Sequence, residues 1–320
     1  VVVGGVGSAL VLVGLAFLYA ITGTPVLSGM QVSLASAEPT LPLAIPMLLL
    51  LSGLGMRAGA GPFMVATRPA EAGGSPVGAG LVLGMVATAA ALVAVKLAVV
   101  MLPVAQLYST YLQLIAAVAM VGGGAAALAA RSARARLAYL AAGQLGWILA
   151  GLATHYRAGL GASLFLLGAF AVAATCGPAL VGRGDGADHL LIGLGVLRPA
   201  RAAGLALAML SLAGAPPLAG FFGEFAVAAA LAQAGQFWLL ALGLTGSVMG
   251  TAAVVRTLRL MYLQSPPEDA RRGPAVALPA VTRFSSVGAA VLCLVIAAYG
   301  VFGNPIMGLA NQGAEALGLR

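Results

Sequence analysis

The sequence predicts an all-α integral membrane protein, one domain of about nine transmembrane helices in which two helices are discontinuous and form an inverted repeat. Three observations carry this. Of 320 residues, 61% are hydrophobic and 8% charged, against about 25% charged in soluble domains, and the mean hydropathy is +1.06. Nine apolar runs are each long enough to cross a bilayer, and two of them are overlong and broken by proline. A polar linker or compositional shift is found nowhere, which excludes a separate soluble module.

Crossing about 30 Å of hydrocarbon takes roughly 20 helical residues. The candidate spans, in order, are 3–22, 41–67, 77–102, 111–130, 137–154, 160–181, 201–233, 236–263 and 284–310. The first lacks basic flanks and a cleavage site, so it reads as a span rather than a signal peptide. With the chain alternating sides, the turns that return to the starting side hold Arg68, Arg131, Arg134, Arg136, Arg183, Arg198, Arg201, Arg256, Arg259, Arg271, Arg272 and Arg283, twelve of the sixteen basic residues. The other side has Arg157 and Arg320, with Lys96 near that end of the third span; Arg57 lies within the second. The positive-inside rule then puts the arginine-rich side in the cytoplasm and the C-terminus outside. This distribution accounts for the net charge of +8 better than nucleic acid does. The excess of Arg over Lys, with Ala and Gly dominant, suits a bacterial cytoplasmic membrane.

At 1.5 Å per residue, 201–233 would measure about 50 Å and 41–67 about 40 Å. Pro216 and Pro217 interrupt the first of these, and Pro62, between Gly59, Gly61 and the following apolar residues, interrupts the second. Proline removes a backbone donor and clashes with the preceding turn, so both are expected to be discontinuous helices whose freed carbonyls line an interior. They are the second and seventh spans and cross in opposite directions, the sequence trace of an inverted-topology repeat with a site at each break. Seven residues after Pro217 stands a lone carboxylate, Glu224. An ionised side chain at a helix centre costs about 2.5–3.5 kcal/mol on insertion scales, which makes Glu224 a functional-site candidate.

Several segments together resemble a known family. These are Gly5–Leu10 and Gly14–Gly23, RLAYLAAGQLGW at 136–147, Gly168–Phe170, and LSLAGAPPLAGFFGEF at 210–225. In this order they resemble subunit N, an antiporter-like membrane subunit, of the proton-pumping NADH:quinone oxidoreductase (respiratory complex I), with RTLRLMY at 256–262 similar to the end of the next family helix. The resemblance implies an antiporter-like bundle in which 1–102 is the end of a first repeat, 103–264 a second repeat, and 265–320 a loop and C-terminal helix. It implies a proton-translocating subunit of the translocase with no redox chemistry of its own. NADH, flavin, iron–sulfur clusters and quinone would belong to partner subunits, and its partners would be other membrane subunits and the lipid bilayer. Family members have about five further spans before Val3, so the chain looks like an N-terminally incomplete member, and the family glutamate on an earlier span has no counterpart. A subunit of a cation/proton antiporter or membrane-bound hydrogenase, and a non-pumping structural remnant, stay open as alternatives.

Carried over position by position, the resemblance puts Arg57 where the first broken helix has a lysine, ahead of Pro62 and Phe63, and Met64 where it has a histidine. A second family lysine falls near Ala87 and is absent, while Lys96 matches a basic position nearer the end of its helix. Glu224 matches the lysine of the second broken helix, with Gly220 and Gly223 before it. A proton path needs side chains that gain and lose protons as burial and neighbouring charge change. Glu224 is expected to be the carrier. The helix dipole fades beyond the first turn, so a cation from another span is required, and Lys96 and Arg57 are the non-loop basic residues. Arg57 does not release its proton, so it would serve as a fixed counter-ion.

Other features carry less. His155 and His189 fall in or beside loops and read as solvated. Cys176 and Cys293 stand alone, without metal-ligand or disulfide spacing. Trp238 reads as an interface anchor, and Trp147 and Tyr139 as packing.

Overall fold

The computed structural model describes residues 2–37, 40–66, 76–181, 187–265, 294–300 and 302–316. Within these the chain is helical, and the one extended pairing is an isolated antiparallel bridge between Ser132 and Ala187. Six helices are long and apolar enough to cross a membrane, seven if a bent C-terminal pair counts as one. The chain is thus a multi-pass α-helical membrane protein.

The expected spans correspond to helices with four differences. The runs at 3–22, 77–102, 111–130, 160–181 and 236–263 appear as α1 (Val2–Thr22), α4 (Gly78–Val100), α5 (Ser109–Ala129), α7 (Arg157–Val181) and α10 (Phe237–Leu258, continued by a π turn Arg259–Leu263). An unanticipated short helix, α2 (Leu27–Ala35), follows α1 and buries Met30 and Leu34.

The 41–67 run is α-helical as α3 (Leu41–Ala58) and stops at Gly59, whose φ of +73° is left-handed. The amides of Gly59 and Ala60 both return to the Gly55 carbonyl, a glycine C-cap that satisfies orphan acceptors. A 3₁₀ turn, Gly61–Ala66, follows. Pro62 lies exposed in that turn, so the interruption precedes the proline, and Pro42–Met64 still counts as one span.

The 137–154 run is α6 (Ala133–Leu152), which is not among the six most apolar helices, because Arg134, Arg136 and Gln144 lower its hydropathy. It nevertheless sits at the centre, with every residue except Ala135 and Gly143 buried, packed by α5, α7, α9 and α10. Arg134 and Arg136, expected in a loop, are inside it. Arg136 is fully buried: Nη1 and Nη2 meet Asp188 Oδ1 and Oδ2 at 3.0 Å each, and they reach Thr257 Oγ1 and the Ala130 carbonyl at 2.8 Å. Arg201, also expected in a loop, is buried and donates from Nε to the Leu180 carbonyl.

The 201–233 run splits into α8 (Pro199–Leu212) and α9 (Ala219–Gln233) around a cis Pro216–Pro217 bond, and each half is too short to cross alone. The 284–310 run begins outside the described residues. Its described part is α11 (Leu294–Gly300) and α12 (Gly303–Ala316), bent by 79°. Cys293, Arg68, Arg183, Arg271, Arg272, Arg283 and Arg320 also lie outside the described residues.

The bundle has two recognisable ends. At one, Ser132 meets Ala187, Arg136 meets Asp188 and Thr257, and the Gly193 amide donates to Leu260. At the other, Gln236 Nε2 donates to the Ala153 carbonyl at 3.0 Å, and Arg157 pairs with Glu315. The described arginines of the crowded set gather at the first end.

Candidate functional site

The site is built at the interruption between α8 and α9. The last carbonyls of α8 lose their helical partners at Gly214–Leu218, and the local backbone satisfies them: Gly214 N donates to Ser211, Ala215 N to Leu210 and Leu218 N to Ala215, at 3.2, 2.9 and 3.1 Å. Gly214 adopts φ +67°, and a Cβ there would run into the Glu224 carboxylate. A Cβ at Gly220 would likewise strike the Ser211 carbonyl, so glycine at both places lets the two half-helices close on each other. Gly223 packs on Leu166 of α7. Gly220, Gly223, Glu224, Val227 and Leu231 form the buried stripe of α9, at helical spacing.

Glu224 is 8% exposed. Oε1 accepts from Gln144 Nε2 of α6 at 3.1 Å, and Oε2 accepts from Ser247 Oγ of α10 at 2.8 Å. Ser247 Oγ in turn accepts from Trp147 Nε1 at 2.9 Å. Gln144 Nε2 also reaches the Ser211 carbonyl at 3.2 Å. Gln144, Trp147, Ala213, Glu224 and Ser247 line a cavity of about 20 Å³, room for one water molecule. Gln144 Oε1 is buried there without a described protein partner, and Ser211 Oγ of α8 is likewise buried and unpartnered. Donors therefore converge on the carboxylate from two helices, and an unfilled acceptor, Gln144 Oε1, stands beside it, an arrangement that suits a proton-exchanging group.

The two expected cations lie elsewhere. Lys96 is exposed on α4 and makes no ion pair with a described residue. Arg57 is exposed in the last turn of α3 and donates to Ser8 Oγ of α1. Neither lines the Glu224 cavity, and both donors to the carboxylate are neutral. Pro216 and Pro217 mark the interruption itself, while Pro62 belongs to the separate turn after α3. Gln144 and Ser247 carry no assignment from sequence, and Trp147 reads there as packing. Their signal was an amide, a hydroxyl and an indole N–H inside apolar runs, groups that need a buried partner as a carboxylate does.

Two other expectations change. Trp147 is a donor in the site as well as packing. His155 is not a solvated loop histidine, because its Nε2 is buried and its ring stands edge-on to Tyr108 at 5.8 Å. His189 is exposed, as expected, and Trp238 is 46% exposed near the start of α10, as an interface anchor would be. Among the described residues, no group of three or more His, Cys, Asp or Glu side chains is placed to hold a metal ion.

Residues 1–250 match the family model described as NADH:quinone oxidoreductase/Mrp antiporter, TM. The chain belongs to this family. It is similar to the NADH-quinone oxidoreductase subunit N of Granulibacter bethesdensis, 33% identical over 99% of this chain and 67% of that protein. It is also similar to the NAD(P)H-quinone oxidoreductase subunit 2 of Trichodesmium erythraeum, 32% identical over 97% of this chain and 62% of that protein. Among solved structures, a chain of respiratory complex I from Thermus thermophilus with bound aureothin superposes with a TM-score of 0.77 at 26% identity, covering 96% of this chain and 66% of that one. The Mrp complex of Dietzia sp. DQ12-45-1b gives 0.83 at 21% identity, covering 98% and 66%, a likeness of fold alone. The chain thus spans roughly two thirds of the length of the relatives it matches.

Proposed function

We propose that this chain is a proton-translocating, antiporter-like membrane subunit of an NADH:quinone oxidoreductase, coupling quinone reduction elsewhere in the assembly to proton transfer across the membrane. The observation that carries the reading is a buried carboxylate, Glu224, placed just past a broken helix and held by neutral donors from α6 and α10. A carboxylate in that position has no ion pair among the described residues, so binding and losing a proton is the direct way for its charge to change.

In this reading Glu224 carries the proton, and Gln144 and Ser247 orient it. Lys96 and Arg57 present charge at the protein surface, Arg57 as a fixed counter-ion, to neighbouring membrane subunits. NADH, flavin, iron–sulfur clusters and quinone are handled by partner subunits. We read nine transmembrane segments, counting α6, the α8–α9 pair and the C-terminal pair as one each, with 1–102 ending a first repeat, 103–264 forming a second inverted repeat, and 265–320 completing the chain. The arginine-rich end faces the cytoplasm of a bacterium and the C-terminus faces out.

A second reading is a subunit of a multi-subunit cation/proton antiporter, since the family description covers both kinds of assembly. Purification through a tag on this chain separates them. Co-purifying flavin and iron–sulfur subunits with NADH:quinone activity support the first; an assembly without either and with cation-driven proton exchange supports the second.

A further inference from the structure

We propose that His155, with Gln236 close by, is the outer proton-transfer station for Glu224, where protons pass between the interior of the bundle and the aqueous phase at the α6–α7 end. The proposal rests on the reading of Glu224 as the proton carrier.

His155 lies in the turn between Leu152 and Arg157. At φ +57° it has the one positive non-glycine φ among the described residues, a strained conformation that persists where surroundings over-determine it. Thr154 does so here: its Oγ1 donates to the Gly151 carbonyl at 2.8 Å and accepts from the Tyr156 amide at 3.3 Å. Nε2 is buried and bonded to no described protein group, while His155 as a whole is partly exposed. The ring borders a cavity of about 20 Å³ walled by Ala98, Val99, Leu102, Leu152, Tyr156 and Leu160, room for one water molecule. A buried, unpartnered ring nitrogen thus belongs to a residue that reaches the surface.

Separate buried polar groups are spaced along the way there from Glu224. Ser163, fully buried on α7, donates to the Ile148 carbonyl, one turn along α6 from Gln144. It lies over Gly151 together with Val227, three residues beyond Glu224. Next come Thr154, 4% exposed, and Gln236, whose Nε2 holds the Ala153 carbonyl and whose buried Oε1 has no described protein partner. From Gln144 to His155 is eleven residues, about 16 Å of helix rise.

The titratable and charged groups around the ring are few. Tyr108, with its hydroxyl bonded to the Ala98 carbonyl, and Tyr156 adjoin it. Arg157 is paired with Glu315 of α12, and Lys96 is exposed one turn before Val99 on α4. Burial lowers the pKa of His155 below its ordinary 6.5, which keeps the resting ring neutral and able to accept. The transfer balances simply. A proton arriving from the interior adds to Nε2 and another leaves Nδ1 to water; the ring ends as the other tautomer and returns by rotation, since reverse exchange would undo the transfer. Only N–H and O–H bonds change.

The test uses the assembled complex containing this chain, reconstituted in vesicles. His155→Gln should slow proton release roughly a hundredfold, the lower range for a positioned acid–base group, and His155→Ala should regain much of the rate when imidazole is added. Glu224→Gln is run beside it. If Glu224→Gln stops pumping while His155→Gln keeps the normal rate and pH profile, the His155 proposal is overturned and the Glu224 reading stands. If Glu224→Gln pumps normally, the underlying reading fails instead. Should the His155 variants not assemble, ¹⁵N-histidine spectra of the unaltered complex decide: an imidazole that titrates with the pH on the outer side supports the proposal, and one that does not overturns it.

Discussion

Glu224 has a neutral set of partners, and each partner has a second duty. Ser247 links Trp147 to the carboxylate, and Gln144 links it to the Ser211 carbonyl at the end of α8. Ser247→Ala removes a donor from Glu224 and leaves the Trp147 N–H without its acceptor. The expected cost is about 1–3 kcal/mol per buried polar group left unpaired, read as a lowered unfolding midpoint of the purified complex together with altered pumping. Gly214→Ala adds a methyl against the carboxylate at a left-handed position, where the backbone alone costs about 1–2 kcal/mol. It should lower both stability and proton yield; a variant with normal yield would show that the carboxylate has room to move. At this scale the sequence was half legible. A carboxylate in an apolar run announces itself, and so does a proline pair. That its partners are an amide and a hydroxyl rather than Lys96 or Arg57 depends on which helix faces meet, and spacing along one chain does not contain that.

At the scale of elements, α6 and α10 run antiparallel in a register pinned at two levels. Arg136 meets Thr257 at one end and Trp147 meets Ser247 near the site, with Leu140 against Gly250 between them. Asp188 fastens the first level, bidentate to Arg136 and 3.6 Å from Arg256. Removing one member of a buried pair strands the other, at about 3–5 kcal/mol. Asp188→Ala should fall near the lower figure, because Asp188 is 19% exposed, and Asp188→Ala with Arg136→Leu should recover much of the loss. Thermal melts of the single and double variants check this. The central place of α6 was hidden in the sequence for the same reason: its arginines and glutamine read as loop or interface in a hydropathy profile, whereas helices on several sides supply their partners. The long apolar helices needed no such help. The α6–α7 turn should respond to pH. His155 binds its proton less readily when folded, so its neutral form contributes stability above about pH 6.5 that is lost as the pH falls through its lower folded value. Hydrogen exchange at Ala153–Tyr156 should quicken on acidification, and a rate independent of pH once intrinsic exchange is allowed for would contradict it.

At the scale of the whole molecule, the described arginines of the crowded set lie at one end and the α6–α7 turn, with Arg157, at the other, so the fold makes orientation a single question. Arg131 and Tyr156 are both exposed, one at each end. Cysteines placed there should react from outside intact cells at 156 and not at 131; the reverse pattern would invert the topology. Fold class, helix order and the break of 201–233 at its proline pair could be read directly from the sequence, while the bend of the C-terminal pair and the end of α3 at Gly59, ahead of Pro62, could not. The central claim is that Glu224 moves protons, and Glu224→Gln tests it most directly because it keeps shape and hydrogen bonding while removing titration. Protons translocated per electron pair should be measured in the assembled complex in vesicles. The account predicts a sharp fall in that yield with assembly intact, and an unchanged yield would contradict it.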